Sequence, residues 1–298
     1  MTILERENYP DLFIAADNEA RRRQMFYFRL LVAQYLCLSV ASAVTLAAVY
    51  VEDQKIILLI YLGVLIAGSI AAMLLATMKP NQSWYQMRAL AESCKTLAWR
   101  YMMAAEPFND RTETSRAKAV FAERLHDLLM IQNLDASALL NDDLTGEHAT
   151  EKMEDIRLST YEDRREFYLK GRIDEQLKWY NEKAIGNKYK SNVFSFLTVL
   201  IYVTAIVTTV AQIRYSFFPN SVIWISEPLL VVAASVLGYA QAKRFAELSS
   251  SYALTALEIR KLRSGFMAVR DDDEFVDYVR EAESAFSREH TQWIARSS

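Results

Sequence analysis

Glycine and proline are scarce. Seven and five of them in 298 residues are too few for the closely spaced turns that a sandwich or barrel of short strands needs. Alternating apolar and polar runs are missing as well, so the chain reads as helix almost throughout. There are two cysteines, Cys37 in an apolar run and Cys94 in a charged stretch, which excludes a disulfide framework and points to reduced thiols. The three histidines, His126, His148 and His290, fall in no HExxH or cysteine-rich setting. No glycine-rich phosphate loop accompanies them. The expectation is a chain that is not an enzyme, holds no metal and takes no cofactor.

Charge is also absent from long stretches. None occurs from Leu30 to Val51, from Ile56 to Met78 or from Ser191 to Ile213, each long enough to cross about 30 Å of hydrocarbon at about 1.5 Å per residue. A fourth run extends from about Val222 to Ala242, with Glu227 and Pro228 near its start. The sequence therefore predicts an all-α membrane protein with four transmembrane helices in two hairpins (30–51 with 56–78, and 191–213 with 222–242) and long cytoplasmic helical extensions. Arg21, Arg22, Arg23 and Arg29 precede the first span, and Lys79 and Arg88 follow the second. Lys188 and Lys190 precede the third, and Lys243 and Arg244 follow the fourth, whereas the hairpin tips hold only Lys55 and Arg214. This bias puts both termini and the middle region on the cytoplasmic side. It also accounts for the triple arginine without a nucleic-acid partner. The first apolar run starts well inside the chain and is too long for a cleavable signal, so it is expected to act as an uncleaved anchor.

Outside the spans, apolar residues recur at helical spacing. Met87, Leu90, Cys94, Leu97 and Tyr101 form a packing seam that Pro107 is expected to end. Val120, Phe121, Leu125, Leu128 and Leu129 mark a shorter amphipathic helix. Leu169, Ile173, Leu177, Tyr180 and Ala184 lead into the third span, and Leu248, Tyr252, Ile259, Leu262 and Phe266 lead out of the fourth. Residues 141–150 read as a loop, dividing the chain into modules 1–145 and 146–298 of one orientation. A last helix opens at residues 271–274, where Asp271 and Glu274 suit an acidic capping box better than a cation site.

Several features of the spans bear on function. Ser39, Ala43 and Ala47, then Gly63, Ala67 and Ala71, and then Ala234, Gly238 and Ala242 place small side chains at i, i+4, i+8 and are candidates for close helix packing. Thr204, Thr208 and Gln212 form a mildly polar stripe that either lines a wet path in an oligomer or bonds its own backbone. Arg214 and Glu227 flank the second hairpin tip, either as an ion pair closing it or as charge rings at a pore mouth. No acidic group or histidine lies deep in a span, which disfavours a transporter or intramembrane enzyme. Trp179, Tyr180 and Trp293 lie outside the spans as packing anchors or ligand contacts.

Three stretches carry a family resemblance: residues 9–31, "YPDLFIAADNEARRRQMFYFRLL"; residues 165–194, with Tyr168, Arg172, Asp174, Gln176, Trp179, Tyr180 and Lys183; and residues 282–297, with Ser287, Arg288, Glu289 and Trp293. They resemble the SLATT domains, the SMODS- and SLOG-associating two-transmembrane effector domains, in two tandem copies. The resemblance implies an effector of a prokaryotic conflict system in the bacterial inner membrane, multi-pass, forming an oligomeric pore or disrupting the bilayer when triggered through its cytoplasmic helices. It also implies a homo-oligomer answering to a nucleotide second messenger or a sensor protein. No sensor domain is expected within the two modules. A non-conducting scaffold that recruits cytosolic partners is the alternative.

Overall fold

With so few helix breakers, caps and left-handed residues decide where one helix stops and the next begins. The computed structural model describes residues 4–48, 51, 53–111, 113–131, 148–215 and 226–295, with no strand among them. After a 3-10 turn at Arg6–Asn8 come ten α-helices: α1 Asp11–Ala47, α2 Gln54–Met78, α3 Pro80–Met102, α4 Thr114–Ile131, α5 Glu151–Leu158, α6 Tyr161–Tyr168, α7 Glu175–Tyr215, α8 Ser226–Lys243, α9 Phe245–Phe266 and α10 Asp272–Ala295. A six-residue π segment, Leu169–Asp174, joins α6 to α7. Between α2 and α3 stands a single left-handed residue, Lys79 (φ 42°), and between α8 and α9 another, Arg244 (φ 51°). In each half, then, the second helix of the hairpin ends at one basic residue and a new helix starts at once. Pro80 opens α3, where its missing N–H costs nothing.

Contact clustering separates two units, residues 1–24, 80–181 and 253–298 in one, and 25–79 and 182–252 in the other. In the first, α3 is the central helix and packs on α4, α5 and α10. Met87, Leu90, Ala91, Cys94, Ala98, Trp99, Tyr101 and Met102 are all essentially inaccessible. Of the predicted seam only Leu97 stays half-exposed. The burial is wider than one stripe because several helices surround α3. The helix ends at Met102, five residues before Pro107, and Ala104 takes a left-handed conformation (φ 55°). Its last carbonyls are met by a side chain. Buried Arg157 donates to the carbonyl of Tyr101 (2.8 Å) in the last turn and to those of Phe108 (2.7 Å) and Asp110 (2.7 Å) in the segment that follows, serving acceptors at and beyond the helix end. Arg164 adds a bond to the Met103 carbonyl at 2.7 Å and an ion pair with Asp272 at 2.6 Å. Tyr101, Phe108 and Phe121 pack ring against ring beside this clamp. Replacing Arg157 with methionine keeps most of the stem but takes a donor from three carbonyls, two of them buried. A loss of about 3 kcal/mol is expected, read as a lowered thermal midpoint of the purified protein. At α10 the capping box forms, with the Glu274 amide donating to Asp271 Oδ1 (2.9 Å) and the Arg270 amide to Glu274 Oε2 (2.9 Å).

In the second unit, the inward side of α2 is Ile57, Tyr61, Val64, Gly68, Ala71 and Leu75, a spacing of alternating four and three. Gly68 lets α1 come close: a Cβ there would sit 3.1 Å from that of Cys37. Gly238 of α8 does the same for Tyr35, whose hydroxyl would lie 2.5 Å from an added Cβ. Ser39 donates to Ser235 at 3.4 Å between the same two helices. The small-residue stripes expected at i, i+4, i+8 are thus only partly used within the chain. Ala71 is buried and Gly238 packed, while Ala43, Ala47, Gly63, Ala67 and Ala234 are exposed. A constant step of four turns about 40° further round the helix each time and walks off a straight contact line, whereas alternating three and four stays on it.

Outward, this unit presents Leu58, Leu59, Ile66, Val199, Ile206 and Val210, each more than half exposed, an apolar belt that water would not tolerate. Three helices are long and apolar enough to cross a membrane: Asp11–Ala47, Gln54–Met78 and the continuous stretch Tyr161–Arg214. The expected fourth is not among these three. Ser226–Lys243 has 18 described residues, about 27 Å at 1.5 Å each, with Glu227 and Lys243 at its ends. The apolar residues predicted to lengthen it, from Val222, lie outside the described residues.

Candidate functional site

Within the first unit, three helices each turn one charged stripe toward a common cleft of about 300 Å³. From the start of α1 and the turn before it come Arg6, Tyr9, Phe13, Asp17 and Arg21. From α3 come Arg88, Glu92 and Lys95, at i, i+4, i+7, and from α7 Glu175, Gln176, Trp179 and Tyr180. The focus is Asp17, whose carboxylate is almost inaccessible. It accepts from Arg6 (2.9 Å), Arg21 (3.0 Å) and Arg88 (3.2 Å). Arg88 also pairs with Glu92, and Arg6 donates to Asn18 Oδ1 at 2.6 Å.

Lys95 is different. Among the described residues its ammonium makes no hydrogen bond or ion pair, and the ring of Tyr9 lies 6.0 Å from the nitrogen. Burial pulls its pKa below the ordinary lysine value, against the attraction of Glu92 and with the repulsion of Arg172. Folding therefore favours its neutral form, and this position disfavours the fold less as pH rises from the lowered value toward that of a free lysine. The Tyr9 hydroxyl, also raised by burial, accepts from Trp99 Nε1 at 3.0 Å.

Beneath the cleft runs a buried polar chain. Arg172, on the π segment, donates from Nε and Nη2 to the two oxygens of Glu283 at 2.8 and 2.7 Å, and Tyr168 donates to the same carboxylate at 3.0 Å. Both charges are inaccessible. Burial alone would lower the Arg172 pKa, but Glu283 at contact distance outweighs it and makes the guanidinium more basic than usual. Burial, then Glu283, pushes the Tyr168 hydroxyl well up. Arg172 also stacks on Phe286 (4.8 Å) and faces Trp99 (5.9 Å).

The candidates named from sequence fall in different places. Trp179 and Tyr180 both line the cleft, with ring centroids 4.9 Å apart at nearly a right angle. Tyr180 is buried and Trp179 half-buried. The Trp293 side chain and residues 141–147 lie outside the described residues. In α7, Thr204 donates to the Leu200 carbonyl and Thr208 to that of Ala205, both at 2.9 Å, while the buried Gln212 Oε1 finds no donor among the described residues. Arg214 and Glu227 are exposed at the facing ends of α7 and α8 in sequence, and residues 216–225 between them are outside the description. Sequence reading passed over Asp17, Lys95 and Glu283. The available signal was a lone charge among small or apolar residues, as in "AAD" at 15–17, "SCKTLAW" at 93–99 and "EAESAF" at 281–286.

A family model described as SMODS and SLOG-associating 2TM effector domain 3 matches residues 10–165, and one described as SMODS and SLOG-associating 2TM effector domain 1 matches residues 168–293. The two matches meet at α6, and each compact unit draws on both. No curated protein and no solved structure matches the chain.

Proposed function

We propose that this chain, which belongs to the SMODS and SLOG-associating 2TM effector domain family, is a membrane-acting effector of a prokaryotic conflict system that opens an oligomeric pore or breaches the bilayer when its extramembrane helices are triggered. The observation that carries the reading is the union of two 2TM effector matches with helices that are apolar enough to cross lipid, two of which, α1 and α7, continue unbroken into charged sequence. A helix without a break is a stiff element, so a rearrangement of its charged part is felt in its apolar part. In this reading α8, with the apolar residues before it, is a fourth span. Both termini lie, in this reading, on the cytoplasmic face of the bacterial inner membrane, which the lysine and arginine flanks support. Several copies assemble, the exposed small residues Gly63, Ala67 and Ala234 allow close approach between them, and Arg214 and Glu227 lie near the outer mouth.

The conducting surface in this proposal is the stripe Thr204, Thr208 and Gln212. Both threonine hydroxyls donate to their own helix, and each oxygen keeps its capacity to accept. Induced cells stained with a membrane-potential dye test it. The parent chain is expected to depolarise them. Thr204→Leu with Thr208→Leu is expected to cut ion flux severalfold at equal expression, and unchanged flux removes the stripe from the path. Cells that keep their potential while the chain retains cytosolic partners favour the scaffold reading instead.

A further inference from the structure

The cleft holds four cations, Arg6, Arg21, Arg88 and Lys95, against three anions, Asp17, Glu92 and Glu175. Three arginines share Asp17 and Glu92, and Lys95 is the one cation of the cleft with no hydrogen bond or ion pair among the described residues, Glu92 and Glu175 attracting it only from a distance. Burying a lysine without a contact partner works against folding, and a group kept at a cost to stability is characteristic of a binding site. Arg21 retains donors, being mostly exposed and contacting Asp17 through one nitrogen of a guanidinium with five N–H groups. Opposite α3, Trp179 and Tyr180 supply flat apolar surface. The volume of about 300 Å³ is at the low end for small-molecule sites, room for one phosphoryl group and one ring system.

We infer that this cleft binds a small phosphorylated ligand, its phosphoryl group received by Lys95 with donors of Arg88 and Arg21 and its remainder laid against Trp179. A fork of guanidinium donors beside a compact ammonium is the pairing that suits phosphate oxygens. Charge complementarity also makes binding cooperative with protonation, because the arriving anion restores Lys95 to its charged form. The inference deepens the trigger invoked above and rests on that reading only for its consequence in the cell, since binding is measured here without any readout of ion flux.

The test uses the full chain in phosphatidylcholine nanodiscs, with adenosine monophosphate, inorganic phosphate and adenosine as soluble probes, and a parallel preparation carrying phosphatidic acid in the disc. Calorimetry and intrinsic fluorescence are expected to show saturable binding of the monophosphate, weaker binding of inorganic phosphate and none of adenosine. Lys95→Gln is expected to weaken binding about tenfold or more, Trp179→Phe to abolish the fluorescence change, and Lys170→Gln, on the exposed face, to alter neither. Without any ligand, Lys95→Gln is expected to raise the thermal midpoint, because it removes a buried charge that has no contact partner. A Lys95-dependent rise in midpoint with the soluble monophosphate assigns a free phosphoryl compound, and the same rise with phosphatidic acid assigns a lipid headgroup. The inference is overturned if no phosphate source binds in a Lys95-dependent way at millimolar concentration, or if Lys95→Gln lowers the unliganded midpoint, which would make the lysine structural.

Discussion

Glu283→Leu is expected to destabilise the first unit by about 3–5 kcal/mol, the largest effect of any single substitution considered, because it leaves the Arg172 guanidinium buried without its counter-charge. Both partners are inaccessible and bonded through two parallel N–H···O contacts at 2.8 and 2.7 Å, and the Tyr168 hydroxyl loses its acceptor at the same time. The double variant Arg172→Met with Glu283→Leu should recover most of the loss, since an apolar pair of similar volume avoids desolvating either charge. Thermal midpoints of parent, both single variants and the double variant measure the coupling. Equal midpoints for Glu283→Leu and the parent would show that the pair does not hold α10 to the π segment.

The second large effect concerns the membrane helices. Ile66 lies near the middle of α2, about half exposed on the apolar belt. Ile66→Arg is expected to cost about 2.5–3.5 kcal/mol on insertion and to lower the amount of chain recovered in the membrane fraction severalfold. Met130, at the end of α4 in the other unit, is still more exposed, yet Met130→Arg is expected to leave recovery unchanged because water already covers that position. Exposure is thus similar and the outcome opposite, which makes the pair a direct test of where lipid begins. Equal recovery of the two variants would mean that α2 does not cross the bilayer.

The reach of sequence reading differs between the two units for a physical reason. In lipid every residue of a span answers to the same solvent, so a charge-free run is a sufficient signal, and Gln54–Met78 appears almost where Ile56–Met78 was predicted. The predicted fourth span was less legible because the described part of its apolar run is shorter and bounded by Glu227 and Lys243. Periodicity also found the α3 seam and the α10 cap, since both are local in sequence.

What the amino-acid order determined by itself was therefore the helical class, the apolar spans, the helix starts set by caps, and the family to which both halves belong. Only the tertiary structure decided that Asp17 gathers three arginines, that Lys95 makes no ion pair among the described residues, and that Arg172 meets Glu283 across 111 positions of chain. Whether a charge is paired depends on which helix folds against it, and spacing along one strand of sequence carries no record of a neighbour that arrives from another.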